Sequence, residues 1–150
     1  MKHNRTIMIA LAILILAGIL LSACGSAATQ GPVTLTVTGL VNKELKLTDA
    51  DLQAMTVVKL TLEHPKNGPT EYNGVRLNDL LNQAGIKAGA ATITFTASDG
   101  FANDLDLATV QACADCLVTF DPATPGVYNL AMAGQSSKSW VKQLISITVK

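Results

Sequence analysis

Residues 71–85 read EYNGVRLNDLLNQAG, a short extended segment followed at once by a helix. The first five residues, 71–75, favour a brief strand. The next residues carry apolar side chains at the three- and four-residue spacing of one helical face, namely Leu77, Leu80, Leu81 and Ala84. Gly85 is typical of the residue that ends a helix. The stretch therefore predicts a strand that leads into a short amphipathic helix.

The residues before this stretch predict three further strands. Alternating apolar and polar side chains indicate half-buried strands at 33–38 (VTLTVT) and 57–63 (VVKLTLE), and a shorter strand is predicted at 45–47. Residues 65–69, which contain two prolines and a glycine, are expected to form a loop. That loop would connect the strand at 57–63 to the extended segment at 71–75.

Short helices are predicted after two of the strands. Thr48 followed by Asp51 is the pattern of a helix N-cap with an acidic first turn, so a helix is predicted over 49–55. Asp106 is expected to cap a second short helix over 107–113 with its side chain. Both helices are too short to be stable alone and need a sheet to pack against.

The second half of the chain predicts a hairpin and three more strands. Residues 91–98 are rich in β-branched side chains, and Asp99 and Gly100 form a turn signal that folds the next residues back. Further strands are predicted at 116–120, 127–132 and 144–149. Because strands outnumber the short helices, the predicted fold class is α+β with a mixed or antiparallel sheet.

Residues 1–24 have the layout of a secretory signal. A basic start precedes an apolar run over residues 7–21, which is shorter than the roughly 20 residues that a membrane-spanning helix needs. The sequence LSAC that ends at Cys24 resembles the lipobox of bacterial lipoproteins, in which the cysteine is acylated and the preceding peptide is removed. We expect a signal peptide at 1–23 and a lipidated Cys24. The alternative is an ordinary signal peptide with a chance cysteine.

Cleavage before Cys24 would leave a polar tether at 24–32 and a folded domain at 33–150. Two or more acyl chains anchor a protein stably, so we expect an extracytoplasmic protein held at the cell membrane or the outer membrane. The chain has 11 basic and 11 acidic side chains, and the leader holds two of the basic ones. The mature protein would be slightly acidic and would lack the basic field that nucleic acid requires. No nucleic-acid partner is expected.

Three segments together resemble the sulfite oxidase-type molybdopterin-binding domain family. They are the helix segment Gly74-Val75-Arg76-Leu77-Asn78-Asp79-Leu80-Leu81, the hairpin Ser98-Asp99-Gly100-Phe101, and Trp140-Val141-Lys142 before the last strand. The resemblance implies that family's fold, with mixed or antiparallel sheet and short helices. By itself it does not imply the family's molybdopterin-dependent oxidoreductase activity.

The resemblance further implies a molybdenum-ligating cysteine just after the strand at 57–63, and arginines that grip the cofactor's phosphate. This chain offers Thr61, Glu63 and His64 at that place, and no cysteine. A hydroxyl or an imidazole does not replace a soft thiolate as a ligand. Arg76 is the only arginine after the leader, and Asn129 stands where members often carry an arginine. We therefore expect no cofactor, with molybdopterin as the alternative.

The segments that the resemblance places near the family's cleft supply a candidate pocket rim: His64, Asn67, Lys138 and Trp140. His64 is the only histidine after the leader, so a histidine metal cluster is excluded. It is expected to be a structural residue of its turn, with ligand contact or a catalytic base as alternatives. No catalytic residue and no metal ligand are assigned. The predicted function is a lipid-anchored binding or accessory module for a small molecule or a protein partner.

Cys113 and Cys116 are the two cysteines that remain beside Cys24. Outside the cytoplasm, neighbouring thiols tend to oxidise, which favours a disulfide. Reduced thiols and a redox-active pair are the alternatives. Reactive pairs of this spacing begin a helix, where the helix dipole lowers the thiol pKa, whereas this pair follows the helix predicted over 107–113. A thiol redox protein is accordingly the third functional alternative, after the binding module and a molybdopterin oxidoreductase subunit.

Overall fold

A computed structural model describes residues 31–150 of the chain. The predicted signal peptide, the lipidated Cys24 and all but the end of the predicted tether lie outside these residues and stay predictions. Within residues 31–150, no helix is long and apolar enough to span a bilayer.

Five strands form the first sheet: β1 (Val33–Gly39), β2 (Leu45–Thr48), β5 (Thr92–Ala97), β6 (Ala102–Asp106) and β9 (Leu144–Val149). Their order is β2-β1-β9-β5-β6, and β1 pairs with β9 in parallel while the other pairs are antiparallel. The parallel pair brings the start of the described chain beside its last strand. The mixed sheet that the sequence predicted is confirmed.

Four strands form a second, wholly antiparallel sheet: β3 (Val57–His64), β4 (Gly68–Arg76), β7 (Leu117–Phe120) and β8 (Tyr128–Ala131). Its order is β3-β4-β7-β8. Strand β4 pairs with β3 from Gly68 to Val75 but with β7 only at its last three residues, Gly74 to Arg76. The rest of the β3–β4 hairpin is therefore a two-stranded ribbon.

The loop predicted at 65–69 is shorter than expected. Gly68 pairs with His64 and Pro69 pairs with Glu63, so both residues belong to β4. Gly68 adopts a positive φ of 72°, which glycine tolerates without a Cβ clash. The hairpin can therefore close immediately after residue 67, where the Asn67 amide donates to the His64 carbonyl oxygen at 3.2 Å.

Three short helices follow strands directly: α1 (Asp49–Ala54), α2 (Leu77–Ala84) and α3 (Leu107–Ala112). The cap predicted for α1 is present, since the Thr48 hydroxyl accepts from the Asp51 amide and the Asp51 carboxylate accepts from the Thr48 amide. The cap predicted for α3 is wrong in its chemistry. Asp106 occupies the N-cap position, but its side chain makes no capping hydrogen bond.

The junction between β4 and α2 explains the glycine that opens the helix motif. A Cβ added at Gly74 would lie 2.3 Å from the carbonyl oxygen of Val118 on β7. Only glycine allows the backbones of β4 and β7 to come this close. Beyond the junction, α2 buries Leu77, Leu80, Leu81 and Ala84, as the spacing predicted.

The main core collects apolar side chains from both sheets and all three helices, among them Phe95, Leu52, Leu80, Val110 and Tyr128. A smaller cluster lies beside the β3–β4 ribbon and contains Leu62, Leu117 and Ala131. Trp140 packs against both clusters. It follows a 3₁₀ turn, Ser137–Ser139, that leads the chain towards β9.

Candidate functional site

A pocket of about 120 Å³ lies where the tip of the β3–β4 hairpin, strands β7 and β8, and the segment before β9 meet. It has ten lining residues: His64, Asn67, Tyr72, Thr119, Asn129, Leu130, Ala131, Trp140, Val141 and Lys142. Its floor is made of buried residues such as Thr119, Leu130 and Val141. Its rim is polar, and no acidic side chain lines it.

His64 is held in one orientation by its own turn. Its Nδ1 atom accepts hydrogen bonds from the backbone amides of Lys66 at 3.1 Å and Asn67 at 3.2 Å. A nitrogen that accepts carries no hydrogen, so the neutral ring has its hydrogen on Nε2. The histidine consequently stabilises the hairpin through Nδ1, and its Nε2–H has no acceptor within residues 31–150.

Trp140 forms one wall of the pocket between two other rings. Its ring centroid lies 4.6 Å from that of His64 in an edge-on arrangement, and 5.6 Å from that of Tyr72. The indole Nε1 is buried and has no hydrogen-bond acceptor among the residues that the structure describes. A buried donor without an acceptor costs about 1–3 kcal/mol, which makes this atom unusual.

Asn129 and Lys142 complete the polar side of the pocket. The Oδ1 atom of Asn129 accepts from the backbone amide of Gln143 at 2.9 Å, so its Nδ2 is the side that remains to donate. Lys142 is exposed and pairs with no acidic side chain in residues 31–150. The residues that line the pocket thus carry an ammonium group, an amide N–H and an imidazole N–H, beside the aromatic ring of Trp140.

The structure brings together three of the four predicted rim residues: His64, Asn67 and Trp140. The fourth, Lys138, lies in the 3₁₀ turn and does not line the pocket. Lys142 lines the pocket in its place. Asn129 and Tyr72 also line the pocket, although neither was predicted as a rim residue. A signal existed for Asn129, because the resemblance places a phosphate-gripping arginine at its position. Tyr72 lies on β4, in the same hairpin as His64.

Two larger hollows lie around Pro125 and Gly126, with volumes of about 380 and 450 Å³. Asp49 lines both of them, and the Tyr128 hydroxyl donates to its carboxylate. Burial, followed by the hydrogen bond to Asp49, raises the pKa of Tyr128 to about 12. Neither hollow contains a lysine, arginine or histidine, so neither gathers donors as the smaller pocket does.

Cys113 and Cys116 form a disulfide, with their Cα atoms 5.5 Å apart. Cys113 is the C-cap of α3, so the pair lies at the negative end of the helix, as predicted. Asn78 donates to the Cys113 carbonyl oxygen at 3.2 Å, and the Arg76 guanidinium pairs with Asp115 at 3.1 Å. The single arginine of the described chain is therefore engaged with the disulfide loop.

The sequence of this chain matches a known protein family. The family model described as the oxidoreductase molybdopterin binding domain matches residues 27–122, which is more than half of the chain. The chain belongs to that family, and the resemblance found in its sequence is confirmed. No curated protein matches the chain.

Among solved structures, the chain is similar to the sulfane dehydrogenase SoxCD from Paracoccus pantotrophus, with a TM-score of 0.65 and 21% sequence identity. The match covers 77% of this chain but only 37% of the SoxCD chain. At this identity the likeness concerns the fold alone. It agrees with the sulfite oxidase-type fold predicted from the sequence.

The donor set of the described chain does not suit a molybdenum centre held by a protein thiolate. Both cysteines of residues 31–150 are joined in the disulfide. Thr61, Glu63 and His64 stand at the end of β3, and Arg76 is paired with Asp115. The pocket of about 120 Å³ is also well below the roughly 300–1,000 Å³ that encloses a larger organic ligand.

Proposed function

We propose that this protein is a lipid-anchored, extracytoplasmic binding or accessory module that has the family's fold without a molybdenum centre of its own. One observation carries the proposal. The pocket at the tip of the β3–β4 hairpin is lined by nitrogen donors and aromatic rings and contains neither a thiol nor a free guanidinium. Such a lining suits a small polar ligand better than a metal cofactor.

The family match supports a second function, that of a molybdopterin-dependent oxidoreductase subunit. In that case the chain would hold the pterin with ligands other than a thiolate. Metal analysis separates the two functions. The full chain is produced in a host supplied with molybdate, beside a family member that has the cysteine ligand. Molybdenum and released pterin are then quantified in both proteins.

The binding-module proposal expects molybdenum and pterin in the cysteine-containing control and neither in this protein. Near-stoichiometric molybdenum in this protein would overturn the proposal in favour of the oxidoreductase subunit. A control without metal would show that the host had failed, and the experiment would be repeated in another host until that control is loaded.

Thiol redox chemistry by Cys113 and Cys116 is the third candidate, and the geometry disfavours it. The pair caps the C-terminal end of α3, and the Asp115 carboxylate lies between the two cysteines in the chain. The negative helix end opposes thiolate formation, and the Arg76 guanidinium that could favour a thiolate is paired with Asp115. A redox-active pair would equilibrate with glutathione-range reductants, whereas a structural disulfide would stay oxidised.

The anchor proposed at Cys24 has its own test. The wild-type chain should partition into detergent, and its N-terminal peptide should carry acyl chains by mass spectrometry. The Cys24→Ser variant should lose the acyl mass and leave the membrane fraction. Wild-type protein with an unmodified Cys24 would contradict the anchor without touching the proposal for the pocket.

A further inference from the structure

We propose that the pocket binds a short monocarboxylate, with its charged end at the donors and its short apolar tail against the inner wall. This inference rests on the proposed function, because it takes the pocket to be free of a metal cofactor. It gives the binding module a class of ligand and assigns the binding of that ligand to the donor side chains that line the pocket.

The charges and donors around the pocket favour an anionic ligand. Lys142 brings a positive charge that no described acidic residue neutralises, and no carboxylate lines the pocket. The Nε2–H of His64 and the Nδ2 of Asn129 have no partner among the described residues, since only their Nδ1 and Oδ1 atoms are used. Donors that line one pocket from which carboxylates are absent favour an oxyanion.

The ring of Trp140 is an aromatic part of the pocket wall. Its Nε1–H is buried away from the pocket, so the donors available to a ligand are those of His64, Asn129 and Lys142. A carboxylate has two oxygens and can accept from several donors at once.

The size of the pocket and the apolar part of its wall restrict the class of ligand. The pocket, at about 120 Å³, is small, which suits a ligand of few non-hydrogen atoms such as a short monocarboxylate. The side chains of Leu130, Ala131 and Val141 and the Trp140 ring are apolar and face the same pocket. Sulfate or phosphate would place oxygens against this wall, whereas propionate would place its methyl group there.

The test uses the single tryptophan of the chain, which gives one indole N–H resonance in a ¹⁵N-labelled sample. Propionate is titrated at constant ionic strength, beside its uncharged isostere propionamide and beside sulfate. Because the Trp140 ring lines the pocket, the expected result is a saturable shift of the indole resonance with propionate, and binding of propionamide weaker by about tenfold or more. Sulfate should bind more weakly than propionate.

Two lysine variants provide a matched pair. Lys142→Met removes the charge in the pocket and should weaken propionate binding by about threefold to fivefold, as for an exposed charge. Lys138→Met removes a neighbouring charge outside the lining and should leave the affinity unchanged. Equal effects of the two variants, equal binding of propionamide, or stronger binding of sulfate would each overturn the monocarboxylate assignment. So would the absence of a saturable shift.

Molybdenum content measured on the same wild-type sample distinguishes a failure of this inference from a failure of the proposed function. Metal-free protein that does not respond to propionate refutes this inference and leaves the binding module in place. Protein loaded with molybdenum refutes the proposed function and, with it, the inference that rests on it.

Discussion

The imidazole of His64 lies edge-on against the indole of Trp140, with ring centroids 4.6 Å apart and ring planes inclined by 70°. The contact joins the end of β3 to the segment before β9, which are 76 positions apart in the chain. Because the Nδ1 atom of His64 also accepts the amides of its own turn, one side chain fixes both the hairpin tip and the pocket wall.

His64→Ala should therefore cost stability. Losing the turn acceptor and the aromatic contact is expected to lower the free energy of unfolding by about 1–2 kcal/mol. Urea unfolding followed by Trp140 fluorescence measures the change. Lys66→Ala, in the same turn but acting only through its backbone amide, should change stability little. A loss in Lys66→Ala as large as in His64→Ala would contradict the role given to the imidazole.

The buried hydroxyl of Tyr128 predicts a loss of stability at alkaline pH. Its pKa is raised to about 12 in the folded protein, against about 10 in an unfolded chain. The unfolded state releases its proton first, so the stabilisation is complete below about pH 10 and is lost as the pH rises towards about 12. Tyr128→Phe should be about 1–2 kcal/mol less stable at neutral pH and should show a shallower loss above pH 10.

The control for this titration is Tyr72→Phe, which removes the other tyrosine of the chain. Chemical denaturation of the wild type and both variants at several pH values gives the comparison. If Tyr128→Phe retained the full alkaline loss while Tyr72→Phe reduced it, the assignment to Tyr128 would be wrong.

Gly74 predicts a steric effect at the junction between β4 and α2. Gly74→Ala would place a Cβ 2.3 Å from the Val118 carbonyl oxygen, so the two strands would have to separate. We expect a loss of about 3 kcal/mol or more in unfolding free energy, or failure to fold. Gly31→Ala meets nothing within 4 Å and should be neutral. A stable Gly74→Ala variant with unchanged thermal midpoint would show that the close approach has been overstated.

Removal of the disulfide should lower stability and leave ligand binding by the pocket unchanged. Replacing both Cys113 and Cys116 by serine should lower the free energy of unfolding by about 2 kcal/mol, as expected for so short a loop. The ligand response of the pocket should persist in this variant, because neither cysteine lines it. Loss of the propionate response in a folded double variant would instead tie the disulfide to the site.

Much of the fold could be predicted from local patterns. The strands at 33–38, 57–63, 91–98 and 144–149 each lie within about one residue of the observed bounds. Alternation indicated three of them, and β-branched side chains indicated the strand at 91–98, which is buried on both faces. The helix from Leu77 to Ala84 followed from spacing in the same way. The resemblance then supplied the family, which local patterns alone could not.

The division into two sheets could not be predicted, because it depends on which strands pair. Strands β1 and β9 lie at opposite ends of the described chain and pair in parallel, and nothing in either segment specifies its partner. The same limit applies to the pocket. Asn129 reaches it on β8, which pairs with β7. Lys138 lies within the 3₁₀ turn and outside the lining, whereas Lys142, after the turn, lines the pocket.

The central claim is that the family's fold here operates without molybdenum, and the most direct measurement is the ratio of molybdenum to protein in the full chain from a molybdate-supplied host. With a cysteine-containing family member loaded in the same host, the account predicts background molybdenum and no releasable pterin. A ratio approaching one metal atom per chain would contradict it, whichever side chain proved to be the ligand.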